Sequence, residues 1–319
     1  MQNLSRARVL SVLAGSAAAA GLPVRARAQN LVPVRVGASL DDGITPVLYG
    51  IHAGLYQQAG LDVQMQPAEN GAALATAIAG GAIDIAKSSA MALISAHAHG
   101  VFFKMVAGGA EYDDNAPTTE SCVLNDSPIK NLADFAGKTV AVNSLQSLEV
   151  LATDAAIDQS GGNPASVKYV EIPDVAMLGA LEQGRADVAA ITNPALAAAL
   201  SSGQIRVIAP TYRGLGKRLL IASWFCTEQY AKNNPDVCKK FAAATRTATL
   251  YTNAHHAETV PILAAYSHLD PAVISRMNRL TSATSLNAAE IQPAIDAAAK
   301  YKFIPSAFPA SDFFILSGV

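Results

Sequence analysis

The chain has 319 residues, of which 51% are hydrophobic and 15% are charged, and its formal net charge is −2. This length allows two domains, and this apolar content supports a large buried core and excludes a disordered chain. The three cysteines are too scattered in sequence for a zinc site, which requires close pairs. They allow either one disulfide in an oxidising compartment or buried free thiols. These residues are Cys122, Cys226 and Cys238.

Residues 1–28 have the features of a secretory signal peptide. Arg6 and Arg8 precede an apolar stretch, and Ala26-Arg27-Ala28 is a small-x-small cleavage sequence. The apolar stretch is shorter than the roughly 20 residues of a membrane-spanning helix, so we expect cleavage after Ala28 and export. Cleavage removes four arginines and no acidic residue, which changes the net charge from −2 to −6. An acidic mature protein is a poor partner for nucleic acid, which binds clusters of Lys and Arg.

Two similar stretches divide the remaining chain into two halves. Residues 80–90 (GGAIDIAKSSA) and 183–194 (QGRADVAAITNP) both place a glycine after a helix-like segment. In each, an Asp then precedes a short apolar run that ends at small polar residues. Because ligands of open α/β sheets bind at the carboxyl ends of the strands, the repeat predicts two α/β lobes with candidate ligand groups at equivalent positions.

Strands and helices alternate in the prediction until the helical C-terminal part. Predicted strands occupy 34–39, 61–65, 83–86, 102–107, 121–124, 139–142, 167–171, 205–209 and 219–226. Predicted helices occupy 45–60, 72–79, 90–99, 148–159, 173–181, 235–251, 257–266, 271–280 and 287–300. The acidic residues at 111–115 lack the alternating ligand pattern of a calcium loop, so that stretch is predicted to be a solvated loop.

Polar residues follow several of the predicted strands and are the candidate ligand groups. A serine at such a position either caps the next helix or contacts a ligand, because both roles use the free amides of a helix N-terminus. The candidates in the first half are Asp41, Asp42, Ser88 and Ser89. The candidates in the second half are Asn143, Ser144, Gln146, Ser147 and Asn193.

Three aromatic residues are candidates for ligand contacts, namely Tyr49, Tyr112 and Trp224. Tyr112 lies in the predicted loop and could close over a ligand, whereas a lone tryptophan in a strand is more often part of the core. His97 and His99 are two residues apart and cannot share a helix face, so we do not assign them as a metal pair. We expect neither a metal nor a cofactor.

Four stretches in order carry a resemblance to a known family: 55–63 (LYQQAGLDV), 80–86 (GGAIDIA), 132–142 (LADFAGKTVAV) and 183–188 (QGRADV). The set resembles the solute-binding proteins of bacterial ABC importers, in the NMT1-like branch for sulfonates, nitrate and thiamine precursors. The similarity covers nearly all of the chain after the predicted signal peptide.

The resemblance implies a type II periplasmic-binding fold, in which two Rossmann-like α/β lobes enclose a ligand cleft. Lobe 1 is expected over 34–119 plus 213–319 and lobe 2 over 120–212, with hinge strands near Cys122 and Cys226. By motif position, the polar candidates named above fall on the cleft. The resemblance also implies a monomer in the periplasm that binds a small organic anion, such as a sulfonate, a carboxylate or a pyrimidine precursor. Its partner would be an ABC permease in the inner membrane.

The alternative is an enzyme on the same fold that acts on a small thiamine-pathway or carboxylate substrate. Such enzymes are mostly cytosolic, and the thiamine-pyrimidine synthase has a cysteine-rich cluster that this sequence lacks. We find no Ser-His-Asp, phosphate-loop or metal motif in the sequence. The sequence therefore predicts a transport protein without enzymatic activity. Its predicted ligand places an anionic group at helix N-termini and an amine near Asp41 or Asp42.

Overall fold

A computed structural model describes residues 30–39, 41–68 and 71–314. The predicted signal peptide, residues 1–28, lies outside these ranges. Within them, no helix combines the length and the apolar character that crossing a membrane requires.

Thirteen strands and twelve α-helices make up the described chain. The strands are β1 (Val32–Ala38), β2 (Leu61–Pro67), β3 (Ile85–Ser89), β4 (Phe103–Gly108), β5 (Ala110–Asp113), β6 (Thr119–Leu124), β7 (Thr139–Val142), β8 (Lys168–Glu171), β9 (Val188–Thr192), β10 (Ile205–Pro210), β11 (Arg218–Leu220), β12 (Ala222–Thr227) and β13 (Thr281–Ser282). The helices are α1 (Thr45–His52), α2 (Leu55–Gln58), α3 (Gly71–Ala79), α4 (Ala90–Ala98), α5 (Leu148–Gln159), α6 (Asp174–Glu182), α7 (Ala195–Ser201), α8 (Glu228–Asn233), α9 (Pro235–Ala254), α10 (His256–Ser267), α11 (Pro271–Arg276) and α12 (Gln292–Lys300).

Two five-stranded sheets have the same topology. Sheet 1 has the order β2-β1-β3-β12-β4, and sheet 2, read in the matching direction, has the order β8-β7-β9-β6-β10. In sheet 1 the strand β1 pairs in parallel with β2 and β3, whereas β12 is antiparallel to β3 and β4. In sheet 2 the strand β7 pairs in parallel with β8 and β9, whereas β6 is antiparallel to β9 and β10. Each strand of one sheet therefore has a counterpart in the other.

The sequence repeat has the same structural role in both sheets. Asp84 accepts a hydrogen bond from the backbone N–H of Arg35 at 2.8 Å, and Asp187 accepts one from the N–H of Thr139 at 2.8 Å. Each Asp lies just before its strand, β3 or β9, and fixes it to the neighbouring strand, β1 or β7. The repeated pattern of glycine, Asp and apolar run thus marks the start of the third parallel strand in both sheets, which confirms the predicted two-lobed α/β organisation.

Helices cover the faces of both sheets. In sheet 2, α5 packs on the face that includes Val140 and Val142, whereas α6 and α7 pack on the opposite face with Ala141 and Ala189. In sheet 1, the long helix α9 packs beside α1, and its Phe241 lies in one core cluster with Trp224. Burial on both faces explains why the parallel strands read as short, continuous apolar runs.

The chain passes from sheet 1 to sheet 2 over 109–118 and back over 211–221, and each passage includes one strand, β5 or β11, of a third sheet with the order β11-β5-β13. The predicted hinge near Cys122 and Cys226 is therefore misplaced, because β6 and β12 lie inside sheet 2 and sheet 1 respectively. A shared apolar cluster also joins the sheets, since α5 packs against the second crossing segment and against α12. At its edge, Asp158 accepts hydrogen bonds from Lys300 at 2.6 Å and Tyr301 at 3.0 Å.

Several local predictions differ from the structure; the helix predicted over 271–280, for example, ends at Arg276. The helix predicted over 45–60 is two helices, because Gly54 between them adopts a left-handed φ of 71°. The loop predicted at 111–115 is largely the strand β5, and the single strand predicted over 219–226 is the pair β11 and β12. All three cysteines are buried free thiols, which is one of the two alternatives allowed by the sequence.

Candidate functional site

The candidate site lies where the parallel strands of both sheets end. We call these two borders carboxyl edge 1 (after β1, β2 and β3) and carboxyl edge 2 (after β7, β8 and β9). The polar candidates predicted from the sequence lie at these borders, whereas the three aromatic candidates do not follow the ends of these strands.

At carboxyl edge 1, Asp41 forms an ion pair with a lysine from the neighbouring strand. Both carboxylate oxygens of Asp41 accept hydrogen bonds from Lys87 Nζ at 2.7 Å. The Lys87 side chain is 6% exposed, whereas that of Asp41 is 46% exposed. A Cβ on Gly43 would lie 2.8 Å from Lys87 Cε, so the glycine leaves room for this lysine. The pair places one buried positive and one accessible negative charge at the edge.

Asp42 is part of a buried ion pair that anchors a distant segment. Arg279 donates to Asp42 through Nε and Nη2, with the shortest distance 2.7 Å, and the backbone N–H of Leu280 donates to the same carboxylate at 2.7 Å. The side chains of Arg279 and Asp42 are 6% and 9% exposed. The expectation that Asp42 meets a ligand amine does not fit this arrangement, because its oxygens are already occupied by Arg279, Leu280 and Thr45.

The serines that follow β3 have different environments. Ser89 is the N-cap of α4, and its Oγ accepts a hydrogen bond from the N–H of Ala92 at 3.2 Å. Ser88 is half-buried and lies opposite Ser223 in the pairing of β3 with β12. The sequence allowed either helix capping or ligand contact for this serine, and in the structure Ser89 caps α4.

The turn after β7 carries four of the predicted site residues. Ser144 Oγ accepts a hydrogen bond from the N–H of Gln146 at 3.3 Å, and Asn143 and Gln146 are exposed. Ser147 occupies the N-cap position of α5, yet its side chain makes no capping hydrogen bond. Its Oγ is buried and has no hydrogen-bond partner among the described residues. This turn therefore presents polar groups next to the free amides of a twelve-residue helix.

Behind the turn, two carboxylates share a hydrogen-bond network. Glu149 Oε1 accepts from Asn143 Nδ2 at 3.2 Å and from the Tyr212 hydroxyl at 3.0 Å. Asp174, the first residue of α6, accepts from the backbone N–H of Thr192 at 2.7 Å. Burial, reinforced by the nearby charge of Glu149, raises the pKa of Asp174 to about 6. The nearby carboxylate of Glu149 thus disfavours ionisation of Asp174.

Carboxyl edges 1 and 2 are linked directly. Asn193, at the end of β9, donates from Nδ2 to the backbone oxygen of Asn278 at 3.1 Å. The residue that follows Asn278 is Arg279, which holds Asp42 at carboxyl edge 1. Asn278 in turn donates to the backbone oxygen of Pro117 in the first crossing segment at 3.3 Å. The ends of β1 and β9 therefore face each other across this link.

The three aromatic candidates lie away from the accessible part of the edges. Trp224 is 0% exposed and Tyr112 is 1% exposed, so the structure places both in the core and not at a cleft surface. Tyr112 donates to Asp114 at 2.5 Å, and its ring packs edge-on against Tyr212. Tyr49 is half-buried on α1, with its ring stacked on that of Tyr251 at a centroid distance of 4.4 Å. None of the three aromatic residues is therefore part of the ligand site that we propose.

Several residues at the edges were missed by the sequence reasoning. Asp174 occupies a strand-end position after β8, so the rule that selected the other candidates should also have selected it. Glu149 lies in the first turn of α5, close to the predicted turn residues. Arg279 had no local signal, because it lies 237 residues from Asp42 in the chain. No group of His, Cys, Asp and Glu within the described ranges is arranged to hold a metal ion.

Comparison with protein families assigns the chain to one of them. The model of the family described as NMT1/THI5 like matches residues 42–259, which is more than half of the chain. The chain belongs to the NMT1/THI5-like family. The matched range includes carboxyl edge 2 and all of the predicted site residues except Asp41. No protein among those with curated descriptions matches this NMT1/THI5-like sequence.

Solved structures share the fold over most of this NMT1/THI5-like chain. The periplasmic aliphatic sulphonate binding protein SsuA from Escherichia coli is 22% identical, with a TM-score of 0.73 and coverage of 88% of this chain and 91% of that one. The alkanesulfonate-binding protein SsuA from Xanthomonas axonopodis pv. citri, bound to MOPS, is 19% identical, with a TM-score of 0.70 and coverage of 88% and 97%. The desulfurization enzyme DSZB is 14% identical, with a TM-score of 0.63 and coverage of 89% and 96%.

These similarities show that the NMT1/THI5-like chain has the mixed α/β fold of periplasmic binding proteins, with two lobes of sheet and helices. The structures with this fold include binding proteins and an enzyme, so the fold alone does not decide between binding and catalysis.

Proposed function

We propose that this NMT1/THI5-like protein is the periplasmic substrate-binding component of an ABC importer. Lobe 1 comprises 34–119 plus 213–319 and lobe 2 comprises 120–212, and a small organic molecule binds between them. The bound form docks on a permease in the inner membrane, which receives the ligand. Membership of the family supports this proposal, and so does the likeness of the fold to sulfonate-binding SsuA proteins.

The observation that carries the proposal is the meeting of carboxyl edges 1 and 2. Ligands of open α/β sheets bind at such edges, and here the edges of two similar sheets face each other at the contact between Asn193 and Asn278. Both edges carry accessible polar groups, including Asp41 on one side and Asn143 on the other. A ligand that contacts both lobes stabilises the closed state by its additional contacts in that state.

The proposed ligand-binding residues come from the turns at the two edges. In lobe 1 they include Asp41 and Ser88. In lobe 2 the turn of Asn143, Ser144, Gln146 and Ser147 presents hydroxyl, amide and helix N-terminal groups, which suit an oxygen-rich group such as a sulfonate or carboxylate. Asn193 completes the site beside the link between the edges. Asp42 and Ser89 support these turns through the ion pair and the helix cap described above.

A thermal-shift screen of the mature protein tests the proposal. The panel comprises taurine, alkanesulfonates, aromatic carboxylates, aminopyrimidines, nitrate and bicarbonate. A ligand at a hundredfold excess over its dissociation constant adds about 2.7 kcal/mol to the free energy of unfolding, which is readily measured. We expect stabilisation by at least one organic class. Stabilisation by none, with a protein shown by native mass spectrometry to carry no bound small molecule, would count against the proposal.

A matched pair of serine variants locates the binding site. Ser147→Ala removes the buried hydroxyl at the start of α5, which has no hydrogen-bond partner among the described residues. Ser202→Ala, the control, removes a hydroxyl at the end of α7 that donates to the backbone oxygen of Ala199 at 2.6 Å. We expect Ser147→Ala to weaken binding of a stabilising ligand several-fold and Ser202→Ala to leave it unchanged. Equal affinities of the two variants would remove the turn before α5 from the site.

The second candidate function is an enzyme on the same fold, which the similarity to DSZB favours. The two functions differ in what happens to the bound molecule. Incubation of the protein with each stabilising compound, followed by NMR of the released compound, distinguishes them. Recovery of unchanged compound supports transport, and turnover to a new species supports the enzyme.

A further inference from the structure

Carboxyl edge 2 contains a closed ring of hydrogen-bonded groups. Thr192 N–H donates to Asp174, Asn143 donates to Glu149, and Tyr212 OH donates to Glu149. The hydroxyls of Thr119 and Thr192 lie 3.0 Å apart, and hydrogen bonds of Tyr212 with Thr119 and of Asn143 with Asp174 close the ring. Glu149 is 5% exposed, whereas Asp174 and Thr192 are half-buried and Asn143 is exposed, so one side of the ring is accessible at the edge.

The ring holds two carboxylates and no cation. Four basic side chains of the described chain lie near the crossing segments and carboxyl edge 1. Each of them forms an ion pair with an acidic residue outside the ring. Lys87 pairs with Asp41, Arg279 with Asp42, Arg213 with Asp114 and Arg218 with Glu111. The donors to Glu149 and Asp174 are an amide, a phenol and a backbone N–H, all of them neutral. Two acids in a partly buried site without a countercharge are unfavourable unless something else supplies a positive charge.

A serine hydroxyl next to the ring is a further candidate for ligand contact. Ser147 lies in the turn between Asn143 and Glu149, two members of the ring, and is 7% exposed. Its Oγ is buried and has no hydrogen-bond partner within the described part of the chain. Buried hydroxyls normally have a partner, and the N–H groups of α5 do not supply one through a cap. A ligand atom at carboxyl edge 2 would satisfy this hydroxyl.

We propose that the ligand of this protein carries a positively charged nitrogen group and that Glu149 and Asp174 bind it at carboxyl edge 2. This inference rests on the proposed binding function and narrows its substrate class. A protonated amine or amidine donates hydrogen bonds to both carboxylates, and Ser147 accepts from or donates to a neighbouring atom. The site therefore selects amine-bearing ligands over simple anions such as alkanesulfonates.

This assignment differs from the one made from the sequence. There, an amine was expected near Asp41 or Asp42, but those carboxylates already accept hydrogen bonds from Lys87 and Arg279. The charge that lacks a partner lies on the opposite edge, on the residues that begin α5 and α6.

Probe pairs that differ only in the amine test the inference. Taurine is compared with ethanesulfonate, and β-alanine with propionate, by calorimetric titration of the mature protein. We expect at least one amine-bearing probe to bind at least tenfold more tightly than its amine-free partner. The preferred probe is then titrated into Asp174→Asn and Glu149→Gln, which keep the hydrogen-bond acceptors and remove the charge. We expect each variant to lose at least tenfold in affinity for that probe.

Asp154→Asn provides the matched control. Asp154 is a buried carboxylate of α5 in the same lobe, 9% exposed, and it accepts a hydrogen bond from the hydroxyl of Tyr169 at 2.6 Å. Its substitution should leave the affinity unchanged, and circular dichroism should show all three variants folded. If an amine-free probe binds as tightly as its partner, the inference fails while the binding function stands. If no probe binds a protein that native mass spectrometry shows to carry no small molecule, the inference is overturned, and the wider thermal-shift screen decides the binding function separately. Equal losses in the Asp154→Asn and Asp174→Asn variants would also overturn the assignment to the ring.

Discussion

Replacing Arg279 by methionine should destabilise the protein by about 3 kcal/mol or more. Methionine keeps an apolar stem of similar length but leaves the Asp42 carboxylate without its cation in a site where that side chain is 9% exposed. Of the contacts to this carboxylate, only the Leu280 N–H at 2.7 Å and the Thr45 hydroxyl at 3.0 Å would remain. Breaking a buried ion pair by removing one partner typically costs about 3–5 kcal/mol.

Lys232→Met is the control for this substitution. Lys232 pairs with Glu228 one helical turn away at 3.4 Å, and the lysine side chain is 66% exposed. Exposed pairs of this kind contribute about 0.5 kcal/mol or less. Urea unfolding, followed by circular dichroism, measures the free energy of unfolding of both variants. A loss of stability in Arg279→Met no larger than that in Lys232→Met would contradict the expected cost of leaving the Asp42 carboxylate without its cation.

A double variant separates the buried charge from the packing around it. Asp42→Leu combined with Arg279→Met removes both charges from the site. Because a buried ion pair can be replaced by apolar residues with little loss, the double variant should be more stable than Arg279→Met alone. A double variant that is less stable than the single one would show that packing, and not an unpaired carboxylate, dominates.

Three further predictions concern the glycines, the acidic ring and the core. Gly214→Ala should lower the free energy of unfolding, because a Cβ at this position would lie 2.2 Å from a backbone oxygen of α5. Gly179→Ala is the matched helical substitution, and its Cβ would meet only a glutamine side chain at 3.9 Å. It should raise the free energy of unfolding by up to about 1 kcal/mol. Urea unfolding measures the change in the free energy of unfolding for both variants, and changes in the same direction would contradict the prediction. The pKa of Asp174 in the folded protein, about 6, is above its ordinary value of 3.8. Protonation of this carboxyl therefore stabilises the folded protein at low pH, and the stabilisation is lost as the pH rises through 6. Asp174→Asn should therefore reduce the fall in stability between about pH 4.5 and about pH 7.5 by about 1–2 kcal/mol, and an unchanged pH profile would refute the assignment. Trp224 is the only tryptophan and is fully buried, so acrylamide should quench its fluorescence weakly until the protein unfolds; strong quenching of the native protein would place it at a surface.

Local chemistry made much of the fold predictable. The predicted bounds of β7 and α5, 139–142 and 148–159, are those of the structure, because apolar runs, polar turns and glycine stops all act within a few residues. The repeat centred on Asp84 and Asp187 gave the two-lobed organisation, since each Asp repeats one hydrogen bond to a neighbouring strand. Where several strands end in polar turns, the pattern indicated the edges of the sheets.

The partners of the site residues were not predictable in the same way. Asp41 meets Lys87 across 46 residues and Asp42 meets Arg279 across 237, and no local pattern links such positions. Tyr112 was assigned to a loop because its acidic neighbours look solvated, but pairing of β5 with β11 and β13 buries its ring. Ser147 lacks a hydrogen-bond partner among the described residues, and such a lack becomes visible only when their contacts are known together.

The two connections between the lobes differ in chemical character, and this difference gives any opening motion a direction. On the α5 side the lobes share apolar packing with α12, and separating it would expose hydrophobic surface at about 25 cal/mol for each Å². At Asn193, on the side of α7, the contact consists of an amide hydrogen bond, which water can replace for about 1 kcal/mol, and of the small side chain of Ala197 packed against the cluster that includes Ile274. We therefore expect the lobes to part first at Asn193, while α5 and α12 stay together and act as the axis of rotation. Solute would then enter from the side of the molecule that α7 and α11 border.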